Sequence, residues 1–239
     1  GQLNRWPMAN IQANVVWSGY GAADDPKTVS NTLRMAEHLM ERSGVLNPIV
    51  GYDVTVGMLQ GQGLYALAAI RHPWAEKAFY ALLQIAGDTT EFSEWMAPGE
   101  DFRTMYRANR IRPWEAGINL DALLYFLTGL EPDAPNRRLA LTPRLPGGVY
   151  CPIRWDRMTV RHLPMGAGSF DLTVADEADG DGRVRTYTVT SRSKDDVTVA
   201  LNALIPFAQV REVRADGRRV EAKTADLYAQ ALATVEVPL

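Results

Sequence analysis

The apolar residues of this chain change period partway along it, and that change constrains the fold more than any other feature. From Pro26 to Gly129 they recur every three or four residues, as on one face of a helix. From Leu139 onward short runs alternate residue by residue and are broken by Gly, Asp and Pro. Helices are therefore predicted first and strands second. The helices fall at about residues 26–42 (Val29, Leu33, Ala36, Leu39 and Met40 on one face, Gly44 as a stop), 54–70 (Met58, Leu64, Leu67, Ala68), 75–86 (Phe79, Leu82, Leu83) and 113–129 (Leu120, Leu123, Leu124, Leu127). Gly57, Gly61 and Gly63 weaken the second helix but permit close packing. Paired in order, these segments make two antiparallel helical hairpins.

Glu131-Pro132-Asp133-Ala134-Pro135-Asn136 breaks helix firmly, so the domain boundary is placed there, giving 1–132 and 133–239. Strands are predicted at about 138–142, 150–154, 158–162, 169–175, 184–191, 197–203, 210–215 and 233–237. Asp179-Gly180-Asp181-Gly182 and Asp216-Gly217 supply tight turns. Strands of this length and spacing suggest an antiparallel β-sandwich. The expected fold class is α+β in two domains.

Several function classes are disfavoured by the totals. With 25 basic against 28 acidic residues, the formal charge of −3 gives no broad footprint for a polyanion, so no nucleic-acid partner is expected. Cys151 stands alone and no Cys/His cluster has zinc spacing, so neither a disulfide nor a metal is expected, and no cofactor motif appears. The longest apolar stretches, such as Leu64 to Ile70, fall far short of the roughly 20 residues of a membrane span. Residues 1–10 carry no signal-peptide pattern, and the chain does not begin with Met, so it reads as starting mid-protein and its compartment is unassigned.

Three stretches carry a family resemblance. Gly51-Tyr52-Asp53 leads into the Gly-rich helix; Ser93-Glu94-Trp95-Met96-Ala97-Pro98-Gly99 lies in the long connection 87–112; and Pro113-Trp114 opens the last helix, followed by Leu127-Thr128-Gly129-Leu130-Glu131-Pro132 and Leu141-Thr142-Pro143-Arg144-Leu145-Pro146. In that order they resemble the C-terminal part of the six-hairpin glycosidases, which include glucoamylases, trehalases and glycogen-debranching-type glucosidases. The resemblance implies a partial α/α-barrel of helical hairpins followed by a β-sandwich, and a glucosidase-like glycoside hydrolase acting on an oligosaccharide or polysaccharide. It also implies that missing N-terminal hairpins, or another chain, supply the general acid.

Glycosidic cleavage ordinarily pairs a protonated carboxyl with an ionised one. The resemblance makes Glu94 the first candidate for the ionised partner, with Glu91 three residues earlier as an alternative or a neighbour; either also reads as a solvated loop acid. Trp95, Trp114, Tyr52 and Trp17 are candidate platforms for sugar faces, though a Trp equally serves a core. Asp53 fits sugar binding or a helix N-cap. Two rivals remain: a polysaccharide lyase using Arg103, Arg107, Arg110 and Arg112 on a uronate, and a non-catalytic sugar-binding or scaffold subunit.

Overall fold

Asp25 opens the first helix. Its Oδ2 accepts the Thr28 backbone N–H at 2.8 Å and the Thr28 hydroxyl at 3.0 Å, and Pro26 takes the first helical position, where a missing N–H costs nothing. These bonds, the backbone one foremost, hold the Asp25 carboxyl below its ordinary value of 3.8. The computed structural model describes residues 15–43, 58–89, 95–98, 105–109, 113–147, 150–206 and 209–239. It divides into two compact units, Gly1–Phe126 and Leu127–Leu239.

In the first unit, α1 (Pro26–Ser43) buries Thr28, Thr32, Met35 and Ala36, while Val29 and Leu33 are only half-buried. α2 (Met58–Ala69) packs on α3 (Ala75–Thr89) and is buried on most sides. The reason is a close approach: a Cβ built at Gly61 would run into Asn119 and the Ile118 carbonyl of α4 (Pro113–Thr128). Two stacked aromatic pairs lock the same contacts, Tyr65 on Tyr125 (4.0 Å) and Phe79 on Phe126 (4.4 Å).

The second unit is built of strands. β3 (Glu131–Asp133), β4 (Arg138–Leu141), β8 (Thr198–Pro206), β11 (Lys223–Leu227) and β12 (Gln230–Pro238) form a five-stranded sheet in the order β11-β12-β8-β4-β3. β5 (Arg157–Met165), β6 (Gly168–Asp179) and β7 (Gly182–Ser191) form a three-stranded antiparallel sheet. Two short strands, β9 (Arg214–Ala215) and β10 (Arg218–Arg219), make a separate hairpin. Gly129, at φ +54, turns the chain out of the last helical turn, and the Thr142 and Arg144 N–H groups then satisfy the Thr128 and Leu127 carbonyls at 2.9 and 3.1 Å.

This architecture corrects the sequence reading in several places. The resemblance to six-hairpin glycosidases and the α/α-barrel portion it implied are not supported: 29% of the molecule is helical against 39% in strands, a mixed α+β protein in which strand outweighs helix. The 87–112 connection shows the physical reason. Instead of leading straight into another hairpin of helices, it carries strand β1 (Trp95–Pro98) paired antiparallel with β2 (Met105–Asn109). The α4 face is also rotated from the expected one. Ile118, Asn119, Ala122, Tyr125 and Phe126 are buried, Leu120 is 58% exposed, and Leu123, Leu124 and Leu127 are half-buried. The strand set is not purely antiparallel, because β4 runs parallel to β8. Residues 150–154, expected as a strand, form none; Pro152 removes a ladder donor there, and Cys151 is buried outside any strand.

Candidate functional site

The sequence-predicted site residues all belong to the first unit. Glu91, Glu94, Tyr52 and Asp53 lie outside the described residues. Trp95 starts β1 opposite Asn109, and Trp114 is the second residue of α4. Trp17 sits in a helical turn at 15–17, 37% exposed, and its indole Nε1 donates to Asp121 at 3.1 Å, so one candidate platform is tethered to a helix surface.

A concave feature lies in the second unit. Sheets that face each other ordinarily interdigitate about 10 Å apart. Here the inward positions of β7 and those of β8 and β12 border a cavity of 1680 Å³. Alternation dictates which residues those are. On β8 they are Val199, Leu201, Ala203 and Ile205, and on β12 Ala233, Val235 and Val237, an apolar wall. On β7 they are Arg185, Tyr187 and Val189, and all three are half-buried.

Asp176 organises the opposite side. Along β6 the buried positions run Phe170, Leu172, Val174, and the next inward position is Asp176, whose side chain is 9% exposed. A carboxylate there needs partners, and arginines supply them. Its Oδ2 lies 3.0 Å from Arg183 Nε, 3.3 Å from Arg185 Nη2 and 3.8 Å from Arg154 Nη2. Arg185 is the cross-strand partner of Asp176, and its Nη1 donates to the Leu204 carbonyl of β8 at 3.1 Å. The pair is thus a strut from one sheet to the other across the cavity. Two strand positions on, the Tyr187 hydroxyl is shielded from water, and so is Arg185 Nε. Burial pushes the Tyr187 phenol above its usual range, and the charge and side-chain hydrogen bond of the neighbouring Arg185 only partly oppose this.

On the other side of β6, Asp171 locks an irregularity. The His162 N–H donates to it at 2.9 Å from a residue held at φ +60 in the bulge of β5, and Arg192 pairs with it at 2.6 Å. The Arg192 hydrogen bond, followed by that of His162, holds its carboxyl below the ordinary 3.8.

Sequence reasoning missed the cleft, although a signal was present. Counting outward from the Gly180-Asp181 turn pairs Asp176 with Arg185 and Val174 with Tyr187, which places opposite charges at inward positions of adjacent strands. Five arginines and five carboxylates line the cleft, together with Trp155, so its formal charge is balanced. Among the described residues no group of three or more His, Cys, Asp or Glu is placed to hold a metal, and no described helix is long and apolar enough to cross a membrane. No protein-family model, curated protein or solved structure matches the chain.

Proposed function

We propose that residues 127–239 act as a non-catalytic binding module that takes a neutral oligosaccharide into the cleft between the two sheets. The observation that carries this reading is the lining itself: an apolar wall and an indole on one hand, arginines and carboxylates in equal number on the other. A pyranose chain has matching chemistry, since its C–H faces pack on apolar and aromatic surfaces while its hydroxyls both donate to carboxylates and accept from guanidinium groups. The volume of 1680 Å³ exceeds the about 300–1,000 Å³ of ordinary small-molecule sites, which favours a chain of sugars over a single one.

Binding is favoured over catalysis here because Asp176, the deep carboxylate of the cleft, presents Oδ2 to three arginines and serves as the anchor of a strut. Glycosidic cleavage asks instead for two carboxyl groups in opposite protonation states about 5 to 10 Å apart. Isothermal titration of the full chain with cellohexaose, maltohexaose, xylohexaose and mannohexaose tests the reading. Saturable binding to at least one, weakened about 10-fold in Trp155→Ala as loss of about 1.4 kcal/mol of stacking would give, is expected. Absence of binding to all four overturns it.

A further inference from the structure

We propose that Arg154 and Arg183 form a carboxylate subsite at the rim of the cleft, which takes one acidic sugar residue at an end of the otherwise neutral chain; the inference rests on the cleft being a sugar site. The charge of the lining balances as a whole but not where these two arginines stand. Arg154, Arg183 and Arg185 gather on only two carboxylates, Asp156 and Asp176, while Arg211 and Arg214 pair elsewhere with Asp181 and Glu212. One positive charge is left over.

That charge is within reach of a ligand. Arg185 lies deep, with Nη1 on the Leu204 carbonyl and Nη2 on Asp176. The side chains of Arg154 and Arg183, by contrast, are 52% and 43% exposed, and both line the cleft. They stand side by side, because Arg154 Nε and Arg183 Nη2 lie 3.2 and 3.5 Å from the same oxygen, Asp156 Oδ1. Arg183 also donates from Nε to the Asp176 carboxylate and from Nη2 to the Asp176 carbonyl. Nη1 of each arginine is then without a partner among the described residues. Arg154 is held in place by its stem as well: Gly147, at φ +136, lies so close that a Cβ there would meet Arg154 Cγ at 2.9 Å. Two neighbouring guanidinium edges with an unmatched charge suit a carboxylate, which accepts from both. A ring hydroxyl accepts from them too, but leaves the charge uncompensated. A chain acidic at every residue fits less well, since the excess is a single charge and the other carboxylates of the lining repel the rest.

Titration of the full chain compares each of the four hexasaccharides with two acidic versions of itself, one oxidised to the aldonate at its reducing end and one ending in a uronate at the other. Expected is an affinity about 10-fold tighter for at least one acidic version than for its neutral parent in dilute buffer, as a charge-assisted contact gives, and a preference that shrinks in about 0.5 M salt. In Arg154→Gln and in Arg183→Gln the ratio of acidic to neutral affinity should fall to about one, with thermal unfolding showing that each variant folds. Should either fail to fold, the salt dependence of the wild-type preference decides. Equal affinity for acidic and neutral versions in the wild type overturns the subsite while leaving the cleft a sugar site. A preference that survives both substitutions, or that is indifferent to salt, also overturns it. If the wild type binds none of the neutral parents, the sugar-site reading fails and the subsite fails with it.

Discussion

The two units of this protein solve the same packing problem differently. In Gly1–Phe126 the helices close on one another: Gly61 admits the backbone of α4, and the Tyr65–Tyr125 and Phe79–Phe126 stacks fill the contact. In Leu127–Leu239 the inward faces of two sheets line a common space, and Arg185, paired with Asp176 on its own sheet, reaches across to the Leu204 carbonyl of the other. A close-packed interior gains dispersion energy from every contact. An open one forgoes that gain and needs a strut. The contrast teaches where to look for function: where the chain leaves space between its sheets and places charged groups there, the space itself is the candidate site.

The largest effect that sharpens this comparison is loss of the strut. Asp176→Ala leaves Arg185 with an uncompensated buried charge, which should cost roughly 3 kcal/mol of stability, whereas Asp121→Ala in the helical unit removes an exposed Trp17 bond and should cost about 0.5 kcal/mol or less. Urea unfolding followed by far-ultraviolet circular dichroism reads both. Equal midpoints for the two variants would remove the strut from the account.

A smaller effect compares acid sensitivity. Asp25 caps a helix in one unit and Asp171 ties a bulge in the other, and each has a folded-state pKa below its ordinary 3.8. A depressed carboxylate contributes its full stability above the unfolded pKa and loses it as pH falls through the folded value, so the loss is confined to acid below about pH 4. Asp25→Asn and Asp171→Asn should each show a smaller drop in urea midpoint between pH 5 and pH 2 than wild type. The Asp171 contribution should weaken more in high salt, since an exposed Arg192 pair carries much of it while backbone and hydroxyl donors dominate at Asp25. Variants with the wild-type acid dependence would contradict both assignments.

How much was legible in the sequence depended on whether the determinant was local. The α1 start near Pro26 and the inward Phe79 and Leu82 of α3 followed from three-to-four spacing, because periodicity acts over a few residues, whereas the Asp25 cap was not read. The buried face of α4 did not follow, because the spacing of Leu120, Leu123, Leu124 and Leu127 marks a different face from the one that packs. The deciding contacts are the aromatic stacks with α2 and α3, which only tertiary structure specifies. β11 was invisible: Lys223-Thr224-Ala225-Asp226-Leu227 is an edge strand with little burial and hence no alternating apolar face. The parallel pairing of β4 with β8 joins segments about 60 residues apart, beyond any local signal. The family resemblance was carried by short local strings such as Glu94-Trp95-Met96-Ala97-Pro98-Gly99, and short strings do not report how helices and strands assemble. The cleft, by contrast, was recoverable from one turn and a count of register, since Asp176 and Arg185 are unusual at inward positions of adjacent strands.

The central claim is that the space between the sheets is a binding site and not a packing defect. Methyl-resolved nuclear magnetic resonance of the full chain, titrated with whichever of the four hexasaccharides binds, tests it most directly. The account predicts saturable shifts at Val189, Leu201 and Val235, on the two walls of the cleft, with Leu64 and Leu67 of α2 unmoved. Shifts confined to methyls of Gly1–Phe126, with those three unchanged at saturation, would contradict it.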